Sequence, residues 1–127
     1  MTQRFDTIGH TYILLTLALT VYGQLVLKWQ MSTVGQMPAN GMEKLQFLLL
    51  QFLNPWILTG FVAAFAASLA WMAAMTRFEL TYAYPFMSLA FIIVMVFSIS
   101  FLGEAFSMQK AIGTVLVVTG LVVVARA

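Results

Sequence analysis

Thr16, Thr20, Gln24 and Lys28 stand four residues apart in a stretch otherwise built of aliphatic and aromatic side chains. On a helix that spacing draws one slowly rotating stripe carrying two hydroxyls, a primary amide and an ammonium. Such a set suits a sugar phosphate. The ammonium supplies a mobile point charge for phosphate, and the neutral groups exchange hydrogen bonds with sugar hydroxyls without holding them too tightly. A second polar cluster, Tyr82, Tyr84 and Ser88 around Pro85, opens another apolar stretch, and Trp71 precedes it as a stacking surface for a sugar ring.

Each of these residues also has a plainer reading. The threonines can bond back to their own helix carbonyls, and Lys28 can snorkel to the headgroups. Trp71, Tyr82 and Tyr84 can belong to an interfacial aromatic belt. Pro85 either opens a helix, where it is harmless, or sits inside one, where it frees a carbonyl near residue 81 and loosens the turn. Gln24 is the hardest to explain away, because a primary amide in hydrocarbon costs several kcal/mol unless it is bonded.

The elements that position these residues follow from composition. Hydrophobic residues make up 62% of the 127, charged residues only 8%, and the mean hydropathy is +0.97. No soluble domain of this size hides that much apolar surface. A chain this long holds four membrane-spanning helices and little else. The expected fold is therefore an all-α membrane protein of four transmembrane helices, at about 8–28, 55–76, 82–102 and 106–125, in a single domain. A helix at about 42–53, with Met42, Leu45, Leu49 and Phe52 on one face, is expected to lie on the membrane surface or to lengthen the second span. Arg4 ahead of the first apolar run imitates a secretory signal, but no small-residue cleavage pattern follows. Asn54-Pro55 marks a helix start, asparagine as cap and proline in the first turn.

Composition also excludes chemistry. There is no cysteine and a single histidine, so neither a catalytic nucleophile with its base nor a metal cluster can be assembled, and nothing calls for a cofactor. A net charge of +2 is too small to imply nucleic-acid binding. The four acids, Asp6, Glu43, Glu79 and Glu104, fall at ends or loops. Glu104 and Lys110 are expected to cap or charge the turn before the last helix. Arg4, Arg77 and Arg126 lie on one side of the membrane and Lys28, Lys44 and Lys110 on the other, three against three. The positive-inside rule then has no winner, and insertion in both orientations is one outcome.

Small residues set the packing. Ala63, Ala67, Ala70 and Ala74 give the second span a bare face for close helix approach, and Gly113 and Gly120 fall two turns apart on the last helix. That glycine face serves either packing within the chain or a dimer interface.

These residues carry a resemblance. Gly23 with Lys28, Ala83-Tyr84, Gly103-Glu104 and the Gly113 to Gly120 spacing resemble the small multidrug resistance branch of the drug/metabolite transporter superfamily. Gly23-Gln24-Leu25-x-x-Lys28 and Ala83-Tyr84-Pro85-x-x-Ser88-Leu89 look most like the subunits of undecaprenyl-phosphate-aminoarabinose flippases. The resemblance implies translocation of a lipid-linked sugar across a bacterial inner membrane by a homodimer, or by a heterodimer with a paralogous subunit. The chemistry of these residues makes the two stripes the expected substrate contacts, with Gly23 and Pro85 as the expected hinge points. The drug exporters of that branch carry a membrane glutamate three residues before the glycine, and this chain has Thr20 there. A proton-coupled cation exporter needs such a buried carboxylate. Two other readings remain: an exporter of small cations or metabolites whose acid comes from a partner or from Glu79 or Glu104, and a non-transporting membrane subunit of a larger complex.

Overall fold

The computed structural model describes residues 6–127, and Arg4 of the charge tally lies outside them. Helix α1 runs over Thr7–Met31, α2 over Gly41–Leu50, α3 over Pro55–Met75, α4 over Leu80–Ala83, α5 over Ser88–Phe101 and α6 over Met108–Ala125. Among the described residues four stretches are long and apolar enough to cross a membrane: α1, α3, the run Leu80–Phe101 that joins α4 to α5, and α6.

Capping explains where the helices begin. The Asp6 carboxylate accepts the Gly9 N–H at 2.9 Å, Asn54 accepts the Trp56 N–H with Pro55 in the first turn, and Ser107 accepts from Lys110. The Ser107 cap starts α6 two residues later than the expected 106. Helix α1 continues a turn beyond Lys28 to Met31, which sets that lysine inside the helix. Helix α2 begins at Gly41, a residue before the expected 42, gives way to a 3-10 turn over Gln51–Leu53, and has no buried residue.

Helices α1 and α3 form the tightest pair. Gly23 and Gly60 face each other there: a Cβ on Gly23 would come 3.1 Å from the Gly60 carbonyl oxygen. Ala63, Ala67, Ala70 and Ala74 are all buried, so packing of bare backbone holds these helices together in a medium with no hydrophobic drive. At the Asp6 end, Ile13 and Leu17 of α1 pack with Ala74, Phe78 and Ala83.

The third span begins at Leu80, two residues before the expected Tyr82, and ends at Phe101. Pro85 therefore lies beyond its first turn, where it has no N–H for the carbonyl of Thr81. The backbone tightens into a 3-10 segment over Tyr84–Met87, and Ser88 Oγ donates to the Pro85 carbonyl at 2.7 Å. Gly103, at φ 73°, turns the chain after α5 in the left-handed region, and the Glu104 N–H bonds back to the Ser98 carbonyl at 3.1 Å.

Helix α6 is the least enclosed. Thr114 is its only buried residue, its hydroxyl bonded to the Lys110 carbonyl at 2.7 Å and 3.4 Å from Met95 Sδ. A Cβ on Gly113 or Gly120 meets nothing within 4 Å, so the glycine face makes no close contact with the described residues.

Candidate functional site

An open groove of about 430 Å³ runs between α1, α3 and the start of the third span. Helix α1 contributes Thr16, Thr20, Gly23 and Gln24, α3 contributes Gly60, Ser68 and Trp71, and Tyr84 closes one end. The close α1–α3 approach at Gly23 makes the groove, because a side chain there would push its walls apart. Gly23 thus sits at a tight helix crossing.

The polar groups differ in what they can offer. Thr16 is buried, and its hydroxyl donates to the Tyr12 carbonyl at 2.8 Å. It is spent on its own helix. Thr20, Gln24 and Tyr84 line the groove with no side-chain hydrogen bond among the described residues. Trp71 and Tyr84 meet edge to face with ring centroids 6.2 Å apart, forming an aromatic end wall. Ser68 was not anticipated, nor was Gly60. Their signal was present: Gly60, Ala64 and Ser68 repeat every four residues on the face beside the alanine stripe, pointing small residues toward the same side as Trp71.

Three expected site residues lie elsewhere. Lys28 is at the far end of α1, its side chain 58% exposed and its Nζ 4.0 Å from Glu104 Oε2. Tyr82 belongs to a cluster at the opposite end, where its hydroxyl lies 3.0 Å from His10 Nε2. His10 Nδ1 is 2.6 Å from the Asp6 carbonyl oxygen, so in the neutral ring Nδ1 donates and Nε2 accepts the tyrosine proton. Ser88 faces a separate cavity of about 270 Å³ beside Val122 and Arg126 of α6.

The charged groups sit outside the groove. Arg77 Nη1 contacts both Asp6 carboxylate oxygens, at 3.0 and 3.2 Å. The Gly9 N–H, and then Arg77, hold the Asp6 carboxyl below its ordinary value against the opposing effect of desolvation. At the other end Asn54 Nδ2 donates to Gln30 Oε1 at 2.8 Å, and Trp29 meets Trp56 edge to face. No carboxylate lines the groove. The site can therefore exchange neutral hydrogen bonds and stack a ring, but it cannot trade a proton for a cation.

Residues 13–126 match the EamA-like transporter family. The chain belongs to that family. Its members are transporters, and this protein is a multi-pass membrane transporter rather than an enzyme. It is 32% identical to the probable 4-amino-4-deoxy-L-arabinose-phosphoundecaprenol flippase subunit ArnF of Erwinia tasmaniensis, over 91% of this chain and 93% of that one. It is 30% identical to the ArnF subunit of the same description from Aeromonas salmonicida, over 98% of this chain and 83% of that one. It is 28% identical to the corresponding ArnE subunit of Aeromonas hydrophila, over 85% of this chain and 89% of that one. No solved structure matches.

Proposed function

We propose that this protein is one subunit of a flippase that carries the headgroup of a polyprenyl-phosphate-linked sugar across a bacterial inner membrane. The observation that carries the reading is the groove itself, where unbonded Thr20, Gln24 and Tyr84 stand beside Trp71 with no carboxylate among them. Its volume falls within the range of small-ligand sites, roughly 300–1,000 Å³. That suits one sugar headgroup. The polyprenyl chain stays in the bilayer, since hydrocarbon has no reason to leave it and a charged sugar phosphate cannot cross unaided. The names of the relatives, with ArnE and ArnF both described as subunits, support the same substrate class and a paired assembly.

The partner is a second copy or a paralogue, and the open glycine face of α6 at Gly113 and Gly120 is where it packs. Rocking of the two subunits across that face, with the loosened turn at Pro85 and the Gly23 crossing as pivots, alternates access to the groove. No energy-coupling acid is present in the spans, so transport follows the gradient left by consumption of the flipped lipid.

The test is translocation in vesicles, reading the exposure of a lipid-linked amino sugar to a membrane-impermeant amine reagent. Gln24→Leu is expected to slow translocation at least about tenfold, the worth of one or two hydrogen bonds to a charged headgroup, with helical content and elution unchanged. Translocation by Gln24→Leu at the wild-type rate refutes the groove as the path. Uptake of organic cations instead of lipid by the wild type makes the protein a small-cation exporter.

A further inference from the structure

A second cavity, of about 500 Å³, opens between α5 and α6 on the Lys28 side of the molecule. Phe91, Val94 and Val117 are among its apolar lining, and Ser98, Glu104 and Lys110 bring polar groups to it. Ser98 is only 6% exposed, yet its hydroxyl has no hydrogen-bond partner among the described residues. A serine in a membrane helix ordinarily bonds back to its own backbone, as Thr114 does across the same cleft. The residue is buried but its unpartnered hydroxyl opens on the cavity, where it is available to a ligand.

The charges lining the cleft are only loosely committed. Lys110 Nζ gives one hydrogen bond, to the Ala105 carbonyl at 2.8 Å, leaving two donors. Glu104 meets Lys28 at 4.0 Å with both side chains well exposed, a contact of little worth in water. An acid and a base thus stand together over an apolar slot.

The cleft and the groove follow one face of the third span. Tyr84 and Met87 line the groove, Phe91, Val94 and Ser98 line the cleft, and the alternating steps of three and four residues between them keep all five on one face of the third span. Lys28 follows Leu27, a groove residue, and contacts Glu104, a cleft residue.

We propose that the α5–α6 cleft is the lateral portal where the lipid substrate docks before its headgroup enters the groove. The ligand is a polyprenyl phosphate bearing an amino sugar. Its phosphate meets Lys110 and the Ser98 hydroxyl, its amine meets Glu104, and the first isoprene units lie along Phe91, Val94 and Val117. Lys28 then hands the phosphate from the cleft to Gln24. This assignment rests on the flippase reading above, and it explains why Lys28 stands outside the groove that it was expected to line.

Native mass spectrometry of the gently purified full chain, incubated with undecaprenyl phosphate in competition with phosphatidylethanolamine, tests it. The wild type is expected to retain undecaprenyl phosphate preferentially. Lys110→Gln and Val94→Trp, which remove the charge and fill the slot from the α5 side, each lower retention about tenfold. Lys110→Arg keeps it, and Lys44→Gln on α2 leaves it unchanged. Retention by both cleft variants at the wild-type level, with loss in Gln24→Leu, overturns the portal and leaves the flippase reading standing. Preferential retention of phosphatidylethanolamine that the cleft variants abolish makes this an ordinary phospholipid site and overturns the assignment. No lipid retained by the wild type overturns both.

Discussion

Helices α1 and α3 meet closely through glycine and alanine, whereas α5 and α6 make far sparser contact. In their most apolar windows 33% of the residues of α1 and of α3 are buried, against 11% in the third span and 6% in α6. Both halves carry paired small residues, yet only Gly23 and Gly60 approach one another, while Gly113 and Gly120 face open space. A small-residue motif therefore marks a surface that permits close approach. It does not say which helix will come.

The sharpest way to break this comparison is to enlarge a glycine in each half. Gly23→Leu is expected to cost about 3 kcal/mol or more, because the Gly60 backbone lies in the way, and thermal melts in detergent would show the loss. Equal melting of Gly23→Leu and the wild type would end the claim that the α1–α3 crossing is the rigid half. Gly120→Leu should leave the melt of the isolated chain unchanged. If α6 is the subunit contact, that variant weakens dimerisation about tenfold, read by dilution in analytical ultracentrifugation. An unaltered dimer there would move the interface to another face.

The smallest effect concerns the end where the halves are tied together. The Asp6 carboxyl is held below its unfolded value, so its contribution to stability is present in full above the ordinary carboxylate range and is lost as pH falls through the lowered value. The melting difference between wild type and Asp6→Asn should therefore narrow as the pH is lowered. A difference that is constant with pH would assign the Asp6 effect to shape rather than charge.

Much of this architecture was legible in the residues. Asn54-Pro55 announced a helix start because both its features are local, a side-chain acceptor and a fixed φ. The alanine stripe announced a close neighbour because spacing on a helix decides which residues share a face. The stripe Thr16, Thr20 and Gln24 was also visible, since all three sit on one helix. What spacing could not say is which residues from different helices converge. Ser88 and Tyr82 adjoin Tyr84 in the chain, yet the tight turns around Pro85 send them to other surroundings, one toward α6 and one toward His10. Lys28 lay on the stripe, but Gly103 turns the chain so that Glu104 comes within reach of it, a consequence of tertiary geometry alone.

The two ends of the molecule are fastened unequally. At one, Arg77 grips Asp6 and Tyr82 bonds His10 amid Phe78 and Phe86; at the other, Lys28 of α1 meets Glu104 in an exposed ion pair at 4.0 Å. A third span of 22 residues is about 33 Å long. Tilting it by about 5° around the fastened end would carry the free end about 3 Å. The arrangement has the form of a clothes-peg, fastened at the spring and lightly held at the jaws.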